Sequence, residues 1–148
     1  MFGNMLIGLP TMVLCLLLQV WLVVVAMRYY VRHEHDIRTP SMWLSLTVVS
    51  SVMLILVIGN LGQVAIWGLL FQLLGEFELF EEAFYHSMVN FATLGYGDHV
   101  MSDEHKLLGA LEAINGVMMI GVTSAILLAA FQDAMKQTIK ARREEQGD

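Results

Sequence analysis

Charged and apolar positions are segregated along this chain over distances far longer than a helical turn. No Asp, Glu, Lys or Arg stands between Met1 and Met27, between Thr39 and Gly75, or between Ala113 and Gln132. An apolar run of about 18 residues or more is long enough to cross a bilayer as a helix. The pattern therefore predicts three spans, about Leu6–Tyr30, about Met42–Leu70 and about Leu107–Met135. Pro10 suits a first-turn position or a mild kink in the first of them. The second run, 37 residues, would reach about 55 Å as a helix against a hydrocarbon core of about 30 Å. Part of it must tilt or leave the hydrocarbon, and Gly75 with Glu76, Glu78, Glu81 and Glu82 marks where it has left. A fourth apolar segment, Ala83–Gly97, has 15 residues and would reach only about 22 Å, too short to span. It begins behind Glu81–Glu82, a placement that suits a helix N-terminus, and it ends in a glycine-rich turn. The segment is expected to be a re-entrant helix followed by extended backbone. Such backbone is tolerated at membrane depth only where protein buries it or it lines a water-filled path. The pattern alone points to a pore.

Composition agrees with the pattern. Of 148 residues, 57% are hydrophobic and 15% charged, against about 45–50% and about 25% in soluble domains. Cys15 is the only cysteine, which excludes a disulfide-stapled module. A net charge of −6 without a basic stripe speaks against a nucleic-acid partner. The first residues carry no Lys or Arg, so the first span is expected to be a retained helix rather than a signal peptide. Arg28, Arg32 and Arg38 lie in the first connection, and Lys136, Lys140, Arg142 and Arg143 in the tail. Between Gly75 and Lys106, one base accompanies seven acids. Basic sides face the cytoplasm, so the N-terminus is expected outside and the C-terminus inside, in the cell (inner) membrane. No span repeats Arg or Lys at every third position, as a voltage sensor would. The chain ends about 13 residues after the last span, so no fused cytoplasmic domain is expected. No phosphate loop, metalloprotease motif or nucleophile elbow suggests an enzyme.

Thr93-Leu94-Gly95-Tyr96-Gly97-Asp98 resembles the selectivity filter of tetrameric potassium channels, Thr-Val-Gly-Tyr-Gly-Asp, with Leu94 as the one change. The residue types have a physical logic. Glycines adopt backbone angles barred to other residues, so successive carbonyls can point at one axis. The resemblance implies K⁺ ions, and no other cofactor, held by carbonyls of Thr93, Leu94, Gly95 and Tyr96 from four identical subunits. The Thr93 hydroxyl would add a further ring, Tyr96 would brace the filter from outside, and Gly97 would complete it. Asp98 would support it. Ala83–Ala92 looks like the pore helix of that family, but relatives often carry Thr at Ala92 and an ionisable residue at Val89. Leu111–Gly121 looks like the inner helix of prokaryotic two-span pore domains. That likeness places Val117, Ile120 and Ser124 toward a cavity and Leu128 or Gln132 near an inner gate. Gly116 is either a gating hinge or a close-packing residue.

The expected class is an all-α membrane protein with three transmembrane helices, a re-entrant pore helix and a filter loop, assembling as a tetramer in the lipid bilayer. Residues 1–41 would hold a peripheral helix and a cytoplasmic loop, 42–135 the pore domain, and 136–148 a short cytoplasmic tail. A weakly selective cation pore and a non-conducting scaffold or regulatory subunit are the competing functions. Glu112, a carboxylate at the head of a membrane helix, either supports the filter by a buried hydrogen bond or snorkels to the interface. Asn60 and Gln63, three apart, suit inter-helix hydrogen bonds. Gly121, Ala125 and Ala129 have the spacing of tight helix contact. His33, Glu34, His35 and Asp36 form either a solvated loop or a metal or pH-sensing cluster. His86 and His99 are further pH-sensing candidates. The outer acids would attract cations or simply be solvated.

Overall fold

The computed structural model describes residues 2–37 and 41–147. Arg38, one of the bases used to infer orientation, lies outside them. Five helices follow in order: α1 (Phe2–Arg32), α2 (Glu34–Ile37), α3 (Met42–Leu73), α4 (Phe80–Phe91) and α5 (Lys106–Gln146). Three of them, α1, α3 and α5, are long and apolar enough to cross a membrane. The chain is an all-helical, multi-pass membrane protein.

Two compact units divide the chain, Met1–Gln19 with Gly59–Gly121 and Val20–Ile58 with Val122–Asp148. In the first, Trp67, Phe71, Ala83, Phe91, Leu108 and Met119 are buried together around α4. Lipid tails are as apolar as Leu, so helices here are held by close packing and hydrogen bonds rather than by the hydrophobic effect. Glycines make the approach possible. A Cβ on Gly68 would stand 3.0 Å from Cα of Phe84, and one on Gly116 would run into the carbonyl oxygen of Phe91. The short helix α4 is thus seated against the bare backbone of α3 on one side and α5 on the other.

The second unit packs Ala26, Val48, Val52, Leu56, Ala130 and Ala134 from α1, α3 and α5. Buried polar pairs cross it. Ser45 and Thr138 hydroxyls meet at 2.7 Å, and the Tyr30 hydroxyl donates to Asp133 at 2.8 Å.

One sequence expectation needs adjustment, and two elements gain detail. Helix α4 starts at Phe80, one residue before the Glu81–Glu82 pair rather than after it, and both carboxylates lie in its first turn. Its N-cap, Leu79, offers no side-chain bond, so the nearby negative charge is what complements the unpaired N–H groups. Helix α5 continues without a break to Gln146, through the segment read as a tail. Finally, α1 packs into the first unit by one face. Asn4, Cys15 and Gln19 are buried, and Gly8 is so closely packed that a Cβ would lie 2.5 Å from Leu111.

Candidate functional site

The loop of interest begins where α4 ends. Ala92 is the last residue with helical angles, and Thr93 follows with φ +58°. The Thr93 N–H donates to the Asn90 carbonyl at 2.8 Å and the Leu94 N–H to the Val89 carbonyl at 2.9 Å. This pair of reversed bonds around one left-handed residue is a Schellman termination, normally built on glycine. A β-branched residue in that conformation is an outlier and stores strain of the kind found at functional sites. Nothing in the sequence announced it.

Handedness then alternates. Thr93, Gly95 and Gly97 have positive φ, whereas Leu94 and Tyr96 do not. Where left-handed residues alternate with right-handed ones, successive N–H groups turn to one side of the chain and successive carbonyls to the other. Gly95 and Gly97 occupy positions that a Cβ would disfavour. Leu94 and Tyr96 are 55% and 67% exposed in the single chain.

Several bonds pin the loop beyond Gly97. The Tyr85 hydroxyl of α4 donates to Asp98 at 2.8 Å, and this bond holds the Asp98 carboxyl below the usual range and the Tyr85 phenol above its own. His86 reaches the His99 carbonyl at 2.8 Å. Glu76 accepts bonds from the Ser102 N–H at 2.7 Å, the Ser102 hydroxyl at 2.6 Å and His105 Nδ1 at 2.5 Å. Burial disfavours the charge on Glu76, but these donors outweigh it and hold the carboxyl below its ordinary value. The Asn4 amide of α1 donates to the Glu104 carbonyl at 2.5 Å. Sequence reasoning treated Glu76 only as one of the outer acids and missed Ser102, His105 and Asn4. The polar residues of α1, Asn4, Cys15 and Gln19, recur at near-helical spacing inside an apolar run, and that periodicity was the available signal.

Behind α4 lies Glu112, fully buried and bonded to the Ser87 hydroxyl. It does not reach the surface. Gln63 donates to Gln19 across α3 and α1 at 2.7 Å. On α5, Val117 is 58% exposed, Ile120 41% and Leu128 57%, and Ser124 is exposed as well. Gly121 meets no other part of the chain within 4 Å, and Ala125 and Ala129 are exposed. This small-residue stripe is therefore left open among the described residues. His33 binds the Tyr29 carbonyl at 3.0 Å and lies against its ring. Among the described residues, no group of three or more His, Cys, Asp and Glu side chains could hold a metal ion.

A short helix and a loop of alternating handedness, set between two membrane-crossing helices, define a class: pore-bearing membrane proteins. Comparison with known families agrees. Residues 54–133, more than half of the chain, match the family described as Ion channel, and the chain belongs to that family. No curated protein and no solved structure matches it.

Proposed function

We propose that this ion channel is potassium-selective and passes K⁺ passively through a filter assembled from four copies of the chain. The observation that carries this reading is the alternating backbone of Thr93–Gly97, on the motif that resembles a potassium-channel filter. Four such loops would offer K⁺ rings of carbonyls at Thr93, Leu94, Gly95 and Tyr96, replacing its hydration shell. The Thr93 hydroxyls would add a ring at the inner mouth. Asp98, bonded to Tyr85, and buried Glu112 would support the filter from behind. Val117, Ile120, Ser124 and Leu128 would face the cavity and gate, in keeping with their exposure in the single chain, whereas Gly116 lies against Phe91 of α4. The exposed Leu94 and Tyr96 side chains have no cover from their own chain and would find it between subunits. The N-terminus would face outside and the C-terminus the cytoplasm.

Reversal potentials of the purified protein in bilayers under opposed K⁺ and Na⁺ gradients test the reading. K⁺ and Rb⁺ should permeate well and Na⁺ poorly, and Ba²⁺ should block by occupying a K⁺ position. Equal permeability of K⁺ and Na⁺ would establish a weakly selective cation channel instead, and the absence of any current a scaffold or regulatory subunit.

A further inference from the structure

Hydrogens can be counted around Ser87. Its hydroxyl oxygen lies 2.8 Å from the Val64 carbonyl of α3 and also within bonding distance of Oε1 of Glu112. A serine hydroxyl has one hydrogen, and a backbone carbonyl can only accept. If that hydrogen goes to Val64, the contact with Glu112 needs a second hydrogen, which a carboxylate lacks and a carboxylic acid has. If it goes to Glu112, two acceptor oxygens are left facing each other at Val64. Only a neutral Glu112, donating to Ser87 while Ser87 donates to Val64, satisfies both contacts.

Among the described residues, none of the side chains packed around Glu112 carries a positive charge. Glu112 is fully buried, and its Oε2 has no partner. From α1 the nearest titratable group is the Cys15 thiol. Helix α3 presents Trp67 and the Val64 carbonyl, both uncharged. From α4 come Asn90, whose amide lies against the Glu112 carboxyl, and His86 beyond it. Lys106, on the same helix as Glu112, is exposed and paired with Asp103 at 2.8 Å. His86 is itself fixed by its partners. Its Nδ1 faces the His99 carbonyl, which can only accept, so Nδ1 carries the hydrogen. Its Nε2 then accepts from the Asn90 amide at 2.9 Å, which makes the ring neutral.

We propose that Glu112 is a proton-binding, filter-positioning residue: its neutral carboxylic acid donates to Ser87, which donates to the Val64 carbonyl of α3, and this chain of bonds lies beside a second one that runs from Asn90 through His86 to the His99 carbonyl. The first chain of bonds ties α3, α4 and α5 together, and the second ties α4 to the outer loop. The proton site stands on geometry alone. Only its consequence for conduction rests on the potassium-channel reading.

Infrared spectroscopy of the full-length protein in lipid at neutral pH tests the proton directly. A carboxylic-acid C=O stretch should be present in the wild type and absent from Glu112→Gln. Ser87→Ala should shift that band without removing it, because the acid loses its acceptor. Glu112→Gln, which can still donate to Ser87, should keep wild-type heat resistance and open probability. Glu112→Ala should lose about tenfold in open probability, the scale of one lost hydrogen bond of ordinary worth. A spectrum identical in wild type and Glu112→Gln, a band unmoved by Ser87→Ala, or a Gln variant as impaired as Ala would each overturn the proposal. Loss of K⁺ selectivity in the wild type, with the infrared pattern intact, would instead overturn the channel reading and leave the proton site standing.

Discussion

At the scale of single residues, the Thr93–Gly97 loop, the proposed filter, combines a strained conformation with a chemical requirement. Thr93 sits at φ +58°, where a glycine would be relaxed by about 1–2 kcal/mol. Thr93→Gly should therefore raise the midpoint of thermal unfolding while lowering K⁺ conduction, since the hydroxyl is gone. Thr93→Ala, which keeps the Cβ, should lose conduction without the gain in stability; equal stability of the two variants would show that the backbone is not strained. Gly95, at φ +59°, poses the opposite case, and Gly95→Ala should abolish conduction or selectivity. Glu76 adds a pH dependence of known sign. Its folded-state carboxyl titrates below the ordinary value, so the stabilisation is present above about pH 4.3, the unfolded value, and is lost as pH falls through the folded value. Hydrogen exchange of the Ser102–Lys106 backbone should rise on acidification in the wild type. In Glu76→Gln it should be raised already and depend less on pH; an unchanged acid response would remove Glu76 from the account.

At the scale of elements, the decisive contact is the seating of α4. Gly68 and Gly116 let α3 and α5 touch the backbone of the short helix, and the Gly116 approach to Phe91 lies directly before the filter turn. This is a packing contact, and α5 is continuous through Gly116. Gly116→Ala should cost about 1–3 kcal/mol by overpacking and should disturb the filter, read as lower heat resistance together with altered selectivity. Gly121→Ala meets nothing within the chain and is the matched control. If both substitutions alter gating while neither lowers stability, the hinge role gains and the packing role fails. Helix α1 contributes through Asn4, Gly8, Cys15 and Gln19, so Gly8→Leu, forced against Leu108 and Leu111, should destabilise the pore-bearing unit rather than a separate anchor.

At the scale of the whole molecule, the distribution of bases predicts an orientation that labelling can check. In cells expressing a variant with Cys15 replaced, a cysteine at Glu78 should react with an impermeant thiol reagent from outside. One at Lys140 should react only after permeabilisation, and labelling of Lys140→Cys in intact cells would invert the topology. The exposed faces of α5 and the uncovered Leu94 and Tyr96 lead to a second expectation. Native mass measurements in mild detergent should find four chains, and a stable monomer would leave the filter without its other carbonyls.

Much of this was legible in the sequence, for reasons that are physical. Charge-free runs of membrane length can be little else, so the three long helices were found, and a run of 15 residues is too short to cross. Glycine at Gly95 and Gly97 signals positive φ because other residues resist it, and both have it. What the linear pattern could not carry were properties set by neighbours distant along the chain. The two readings of Glu112 differ only in whether Ser87 faces it, 25 residues away. The strain at Thr93 is imposed by the bonds that close α4, against the preference of the residue itself. Which residues of α1 are buried was not legible either, because its polar residues are few and in lipid a handful of hydrogen bonds and one close glycine suffice to place a helix. Local chemistry is written residue by residue, but which polar atom meets which is decided only when the helices pack.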